Sequence, residues 1–262
     1  MISNSQSRIK PLLIIIVLAA AVWYVQGEDI VYSLRSFGIL PPEPWPENVI
    51  TDQVTVLSHR SITATFHSYI PYPEPGESMP VLICVGGYIS TGKNFMGRGW
   101  RKNADKERMV ILAPTFPKND NDFNNNRSYH YPKVWSGRAL DRMLEKLSAY
   151  EGVDTSRVYM YGFSAGAQVS HRYALIRPHL VKGVAIHAPG SYTFPSRNIP
   201  TQFRVSVGQQ DSRRLTLART FISRAHGQNI AARLVVYPNM AHEQSTEQID
   251  ESLEFLFDLS KI

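Results

Sequence analysis

The stretch "VYMYGFSAGAQVS", residues 158–170, decides the fold of this chain. It begins with a short apolar and aromatic run, which is typical of a buried β-strand, and it ends with apolar residues at helical spacing. Between them, residues 162–166 read G-x-S-x-G, with Ser164 at the centre. This pattern predicts a sharp strand-to-helix turn, because a side chain at either glycine would collide with neighbouring backbone. The stretch therefore predicts an exposed serine nucleophile at the end of a buried strand.

Beyond Pro80 the chain alternates between apolar runs and amphipathic segments. The runs are short and uniformly apolar, as expected of strands buried on both faces of a parallel sheet. They are residues 81–85, 109–114, 158–162, 181–189, 203–208 and 232–238. Apolar residues recur every three or four positions in Val134–Tyr150, Ala165–Ile176, Leu215–His226 and Thr246–Leu259, which predicts helices there. The alternation predicts an α/β domain with a mostly parallel central sheet and helices on both faces.

Two segments depart from this pattern. Residues 49–58 and 61–70 alternate in polarity and are rich in β-branched residues, which predicts a leading antiparallel strand pair. Residues 115–133 have neither period and are rich in Asn, Asp and Pro, which predicts a long loop. We interpret the loop either as a wall of the substrate site or as a plain surface loop. Its aromatic residues are Phe116, Phe123, Tyr129 and Tyr131.

The amino-terminal pattern indicates export. Arg8 and Lys10 precede an uncharged run from Leu12 to Val25, an order shared by secretory signals and membrane anchors. The run of 14 residues is shorter than the roughly 20 that a spanning helix needs, which favours a signal. Residues 1–26 are thus predicted to be a signal peptide or a membrane anchor, with a buried helix as the alternative. We expect a periplasmic or extracellular protein whose only membrane contact is through residues 12–25.

Composition limits the organisation and the partners. The 262 residues are 43% hydrophobic, which is enough for a sizeable core, and they show no internal repeat and no second core. We expect a Pro-rich linker at residues 27–48 and one domain at residues 49–262. The net charge of +6 comes without a dense basic run, so no nucleic-acid partner is expected. The only cysteine, Cys84, permits neither a disulfide nor a C-x-x-C metal site and is predicted to be a core residue. The oligomeric state stays open.

A serine becomes a strong nucleophile only when a base takes its proton and a third group orients that base. Among residues 165–241 the one carboxylate is Asp211, against ten Lys and Arg residues, and it follows a predicted strand. Of the two later histidines, His226 ends a helix before a glycine and is interpreted as a helix-end residue. His242 lies between the last strand and the last helix. The order Ser164, Asp211, His242 accompanies the strained turn and predicts nucleophile, orienting acid and base.

With these residues identified, the sequence resembles the α/β-hydrolase family, most closely the secreted esterases related to feruloyl esterases and polyhydroxybutyrate depolymerases. The resemblance rests on the turn, the late Asp and His, "GVDTSRVYMYGFSAGA" at residues 152–167, and the leading strand pair. It implies a serine hydrolase that cleaves a small-molecule or polymer-linked ester through an acyl-enzyme, without cofactor or metal. The alternatives are a serine peptidase or thioesterase with the same triad, and a non-catalytic, membrane-tethered binding protein with this fold.

The resemblance also implies an oxyanion hole. In that family the loop after the first central strand donates a backbone N–H and often reads His-Gly-x, whereas residues 86–88 here read Gly-Gly-Tyr. The expected donors are the backbone N–H groups of Tyr88 and Ala165. Substrate contacts are expected from Gly87, Trp135 and Tyr192. For the two aromatic residues among them, core packing is the alternative interpretation.

The same loop presents a competing pattern. Residues 86–94, "GGYISTGKN", come within one residue of the nucleotide-binding pattern G-x-x-x-x-G-K-[ST]. Asn94 replaces the hydroxyl residue that would bind magnesium, and none of the predicted buried strands ends in a magnesium-binding aspartate. The loop is therefore interpreted as an oxyanion loop rather than a phosphate-binding loop.

Overall fold

Eight strands form one sheet in the computed structural model, which describes residues 44–261. They are β1 (Val49–Leu57), β2 (Ser61–Tyr69), β3 (Met79–Val85), β4 (Val110–Thr115), β5 (Val153–Phe163), β6 (Val181–His187), β7 (Gln202–Gly208) and β8 (Ala232–Tyr237). Their order across the sheet is β1-β2-β4-β3-β5-β6-β7-β8. The pairs β1–β2 and β2–β4 are antiparallel and the others are parallel. The predicted mostly parallel sheet with a leading antiparallel pair is confirmed.

Helices cover both faces of this sheet. Within residues 44–261 they are α1 (Arg98–Glu107), α2 (Asp120–Asn124), α3 (Ser136–Leu147), α4 (Ala165–Ile176), α5 (Ser212–His226) and α6 (Thr246–Ser260), with a 3-10 turn at Gly92–Phe95. The core on one face of the sheet contains Leu140 of α3, Tyr173 of α4 and Phe221 of α5, and the core on the other face contains Ala104 of α1 and Leu253 of α6. The predicted helices on both faces are therefore confirmed.

Strand β3 shows how the two cores are separated. Val81 and Ile83 belong to one core, whereas Leu82 and Cys84 belong to the other. This alternation is the period of two that places successive side chains on opposite faces of a strand. Cys84 has no exposed surface, and burial raises the pKa of its thiol. Its predicted position in the core is confirmed.

Helix α1 was not predicted from the sequence. Its ten residues bury only Ala104, so they carry almost no periodic apolar signal. The other differences concern helix ends: α3 is shorter than the predicted Val134–Tyr150, and α5 begins at Ser212 rather than Leu215. Helix α4 begins and ends where the sequence predicts.

The loop at residues 115–133 is more ordered than expected, because it contains α2. Phe116 and Tyr129 are buried and stack with ring centroids 5.5 Å apart, so they are core residues rather than a substrate wall. Asp122 of α2 is ion-paired with His59 and Arg60, at 2.8 and 2.7 Å. The loop is thereby attached to the turn between β1 and β2.

Residues 1–43, which hold the predicted leader (1–26) and most of the predicted linker (27–48), lie outside the described residues. None of the helices in the described part of the chain combines the length and the hydropathy needed to cross a bilayer. Strands β5, β7 and β8 are parallel, so their carboxyl ends share one edge of the sheet, the edge at which such sheets bind ligands. Ser164, Asp211 and His242 each follow one of these strands.

Candidate active site

The strand-to-helix turn holds Ser164 in a strained conformation. Strand β5 ends at Phe163 and α4 begins at Ala165, and between them Ser164 has φ 51° and ψ −110°. A positive φ at a non-glycine residue costs on the order of 1–3 kcal/mol and persists only where the surroundings enforce it. The Ser164 N–H donates to the main-chain carbonyl of His187, with an N–O distance of 2.9 Å. The turn presents the serine side chain at the amino terminus of α4.

Both glycines of the turn are required by close contacts. A Cβ on Gly162 would lie 2.6 Å from the Ser170 hydroxyl oxygen and 2.8 Å from the backbone of Ala167. A Cβ on Gly166 would lie 2.0 Å from the carbonyl oxygen of Val85. The collisions predicted from the sequence are confirmed, and the second one shows that α4 begins directly against the end of β3.

A chain of hydrogen bonds joins the three predicted catalytic side chains. Ser164 Oγ lies 2.9 Å from His242 Nε2, and His242 Nδ1 lies 3.1 Å from Asp211 Oδ2. Because a carboxylate only accepts, Nδ1 carries the proton and donates it to Asp211. A neutral imidazole then has Nε2 free to accept from the serine hydroxyl. This is the arrangement of nucleophile, base and orienting acid.

The surroundings keep the imidazole neutral. Burial is the main cause that lowers the pKa of His242, the positive charge of Arg214 lowers it further, and the Asp211 carboxylate partly offsets both. Arg214 Nη1 donates to Asp211 Oδ2 at 3.1 Å, so the carboxylate is shared between a guanidinium and an imidazole. A lowered pKa leaves His242 unprotonated near pH 7, the form that accepts a proton.

A second histidine supports the loop that carries the first. His187 has no exposed surface, its Nε2 donates to the main-chain carbonyl of Glu243 at 2.8 Å, and its Nδ1 lies 2.9 Å from Ser206 Oγ. Burial lowers the pKa of His187 to about 4, so its imidazole is neutral. The Phe163 ring stacks on both imidazoles, with centroid distances of 5.7 Å to His187 and 5.1 Å to His242. His187 is therefore a packed strand-end residue beneath His242.

A third glycine, Gly208, lets the loop that precedes His242 approach the sheet. A Cβ on Gly208, the last residue of β7, would lie 2.2 Å from the carbonyl oxygen of Met240 and 2.4 Å from that of Ala241. The Gln210 N–H donates to the Met240 carbonyl at 2.9 Å. The backbone just before His242 thus runs directly over the end of β7, where any side chain would displace it.

The loop after β3 reaches the serine from the other side. A Cβ on Gly87 would lie 3.2 Å from the Phe163 ring and 3.9 Å from the Ser164 Cβ. Within residues 44–261, the N–H groups of Tyr88 and Ala165 donate to no protein acceptor. The N–H groups in the first turn of a helix lack an intrahelical partner, which accounts for Ala165. Two unpaired N–H groups near a serine hydroxyl are what an oxyanion hole requires.

The competing phosphate-binding interpretation of this loop loses its basis. Asn94 Oδ1 accepts from the backbone N–H of Thr91 at 2.8 Å, so the side chain at the magnesium position caps the 3-10 turn. The Gly92 N–H donates to Thr115 Oγ1 at 2.8 Å. The Asn94 side chain and the Gly92 N–H, two groups that a phosphate-binding loop would use, are instead bound within the protein.

The three residues expected to contact substrate differ in their positions in the structure. Gly87 lies beside Ser164, as described above. Trp135 is 1% exposed, and its indole N–H donates to the Arg127 carbonyl at 2.8 Å, which corrects the expectation of substrate contact: the ring is a core residue. The ring of Tyr192 stacks on Phe221 with a centroid distance of 4.9 Å. Its contact with substrate stays a prediction.

Three supporting residues were not assigned a role from the sequence. Arg214 follows Asp211 by three positions on a helix, a spacing at which opposite charges meet. Gly208 ends the apolar strand β7, just before the loop that carries Asp211. A glycine in such a strand position can indicate that another backbone segment approaches closely. The partners of His187, the Ser206 hydroxyl and the Glu243 main-chain carbonyl, lie 19 and 56 positions away, so the local sequence gives no sign of them.

Comparison with known proteins gives one curated relative and several structural neighbours. No protein-family model matches the chain. A poly(3-hydroxyalkanoate) depolymerase C from Paucimonas lemoignei is 24% identical over 131 residues, which cover 47% of this chain and 31% of the relative. The matched region therefore spans about a third of the length of that relative.

Solved structures resemble most of the chain at low sequence identity. An S-formylglutathione hydrolase from Agrobacterium tumefaciens has a TM-score of 0.59 and 17% identity, covering 84% of this chain and 96% of its own. A poly(3-hydroxybutyrate) depolymerase from Bordetella parapertussis has a TM-score of 0.59 and 21% identity, covering 81% and 94%. A ferulic acid esterase from Anaeromyces mucronatus, solved with ferulic acid, has a TM-score of 0.59 and 14% identity, covering 84% and 94%. These neighbours confirm the resemblance predicted from the sequence: the chain has the α/β-hydrolase fold, shared with serine esterases.

Proposed function

We propose that this chain is a serine hydrolase that cleaves carboxylic esters through an acyl-enzyme on Ser164. The observation that carries the proposal is the hydrogen-bonded series from Ser164 through His242 to Asp211, with contacts of 2.9 and 3.1 Å at the carboxyl edge of the sheet. Such a series activates a serine on several unrelated folds, so its geometry is stronger support than the fold alone.

The reaction proceeds in two steps. Ser164 Oγ attacks the ester carbonyl carbon while His242 Nε2 takes its proton, and the Asp211 carboxylate stabilises the imidazolium that forms. The oxyanion accepts hydrogen bonds from the N–H groups of Tyr88 and Ala165, each contributing roughly 3 kcal/mol to the transition state. His242 then gives its proton to the leaving alkoxide. Water, deprotonated by His242, attacks the acyl carbon; the bond from Ser164 Oγ to the acyl carbon then breaks, His242 returns the proton to Ser164 Oγ, and the acid is released.

The proposed substrate is a small-molecule or polymer-linked ester. Support comes from the curated relative, described as a poly(3-hydroxyalkanoate) depolymerase, and from the neighbour described as a ferulic acid esterase. The S-formylglutathione hydrolase neighbour makes a thioester the second candidate. Hydrolysis of matched acetyl and feruloyl esters, oligomeric 3-hydroxybutyrate and an S-acyl thioester separates these classes, and a higher kcat/KM for the thioester would reverse their order.

The proposed nucleophile is tested with a fluorophosphonate, which needs no knowledge of the substrate. The protein is expected to gain the mass of one phosphonyl group, and the Ser164→Ala variant none. Ser148, an exposed serine after α3, supplies the matched control, because Ser148→Ala should label like the parent. Absence of an adduct on a folded parent would contradict the proposal and favour a binding protein with this fold.

Export is the second part of the proposal. It is supported by Arg8 and Lys10 ahead of the uncharged run Leu12–Val25. Fractionation of expressing cells should find the protein outside the cytoplasm, and amino-terminal sequencing distinguishes cleavage near Ala21 from a retained tether. Recovery of the intact chain from the cytoplasm would contradict this part.

A further inference from the structure

A cavity of about 260 Å³ opens beside α4, away from the triad. Its walls come from α4 and from residues 131–133 and 193–199. This volume lies just below the roughly 300–1,000 Å³ typical of small-molecule pockets, so the cavity has room for a compact organic molecule. Of the α4 residues in its wall, Arg172 is the nearest to Ser164 in the chain, and it follows Ser164 by eight positions, about 12 Å along the helix axis. The cavity is therefore distinct from the proposed ester site.

The charge on this cavity has one sign. Lys133, Arg172 and Arg197 line it, and no carboxylate does. Neither Lys133 nor Arg197 forms an ion pair within residues 44–261, and both are exposed at the rim. Three cations without a counter-ion attract an anion into the space between them.

Arg172 is the buried member of this group. Arg172 is only 7% exposed. Its guanidinium donates hydrogen bonds to three uncharged acceptors: the His130 carbonyl at 2.7 Å, Ser191 Oγ at 2.8 Å and Thr193 Oγ1 at 3.2 Å. These take three of the five guanidinium N–H groups, which leaves two without an acceptor in the described part of the chain. A buried cation without a paired anion is costly.

The contacts of Arg172 also fix its orientation. Its guanidinium carbon lies 4.7 Å from the centroid of the Tyr131 ring, and burial lowers the pKa of the guanidinium, which stays protonated. Ser191 Oγ donates to Gln168 at 2.7 Å, so its lone pairs face Arg172. A planar guanidinium held in this way is suited to bidentate binding of a carboxylate.

The remaining walls are apolar. Leu175, Ile176, Phe194 and Ile199 contribute them, and Phe194 is 42% exposed. We propose that this cavity binds an organic carboxylate with a compact apolar body, its charge on Arg172, Lys133 and Arg197 and its body against these side chains. A carboxylate matches both the cations and the apolar walls.

Calorimetric titration of the full chain with benzoate tests this site. Benzoate is expected to bind saturably, and benzamide, its neutral analogue of nearly the same shape, at least tenfold more weakly. Because Arg172 is buried and its loss could unfold the protein, the variant replaces the exposed cations, as Lys133→Gln with Arg197→Gln. This variant should weaken benzoate binding at least tenfold. Arg219→Gln removes an exposed charge from α5 and should leave binding unchanged.

The binding must also be independent of the proposed nucleophile. Benzoate should bind equally well to fluorophosphonate-treated protein, so the outcome does not depend on whether Ser164 reacts. Four results would each overturn the proposal. They are equal binding of benzoate and benzamide, binding of inorganic phosphate in place of benzoate, loss of benzoate binding after fluorophosphonate treatment, and no benzoate binding at concentrations on the order of 10 mM.

Discussion

His187 Nε2 donates to the main-chain carbonyl of Glu243, the residue next to His242, at 2.8 Å. The main-chain carbonyl of His187 accepts the Ser164 N–H at 2.9 Å. His187, at the end of β6, thus fixes the backbone on both sides of the contact between Ser164 and His242, the proposed nucleophile and base. Its ring hydrogen-bonds to neither Ser164 Oγ nor His242 Nε2, so we expect it to act by positioning.

Replacing His187 should therefore lower kcat with little effect on KM. In His187→Asn the shorter side chain cannot span the same distance, and a misplacement of the base by about 1 Å costs roughly 100-fold in rate. The measurement is kcat and KM for a p-nitrophenyl ester, with thermal unfolding of the same samples. His226→Gln is the matched control, since His226 Nε2 also donates to a backbone carbonyl, that of Ala232 at 2.8 Å, and His226 lies at the opposite end of α5 from Asp211. Equal kcat losses in both variants would contradict the positioning role.

Gly208 should tolerate no side chain. In Gly208→Ala the new Cβ would lie 2.2 Å from the Met240 carbonyl oxygen, so the loop before His242 has to move. We expect kcat to fall by roughly 100-fold and the variant to unfold at lower temperature. The control is Gly99→Ala in α1, where nothing lies within 4 Å of the added atom. Since alanine favours helix, that variant should be about 0.5–1 kcal/mol more stable and fully active; full activity of Gly208→Ala would refute the argument.

These supporting contacts mark the limit of what the sequence predicts. The strands, four of the helices and the order Ser164, Asp211, His242 follow from local periodicity and from the G-x-S-x-G turn. Helix α1 was missed because it buries little, and Trp135 was misassigned because an aromatic near a site carries no sign of which way it faces. The contact of Gly208 with Met240 joins residues 32 positions apart, and only the packed structure brings them together.

Arg214 should lower the pH at which the acid limb of the kcat/KM profile lies. Its charge lowers the pKa of His242 and it shares the Asp211 carboxylate. In Arg214→Gln both effects disappear, so the pKa of His242 rises and more of the base is protonated at a given pH. The pH profile of kcat/KM should have its acid limb at higher pH than in the parent, with similar values on the alkaline plateau. Arg213→Gln, a neighbouring exposed cation, should shift the limb less, and a limb that moves to lower pH would contradict the assignment.

A Tyr192→Phe variant tests whether the Tyr192 side chain only packs in the protein or also contacts substrate. Its hydroxyl oxygen is buried without a hydrogen-bond partner in the described part of the chain, and its ring stacks on Phe221. Removing an unpaired buried hydroxyl relieves a desolvation penalty, so Tyr192→Phe should raise the free energy of unfolding by about 1 kcal/mol. Tyr173 is the matched control with the opposite sign.

The Tyr173 hydroxyl donates to Asp141 at 2.7 Å, so Tyr173→Phe should lower the free energy of unfolding by roughly 1.5–3 kcal/mol. Urea unfolding of parent and variants measures both changes. Ester kinetics of Tyr192→Phe then decide its role, because a hydroxyl that binds substrate leaves a raised KM when removed, whereas a packed ring leaves KM unchanged. A raised KM together with lower stability would show that the hydroxyl has a partner and would restore the substrate contact expected from the sequence.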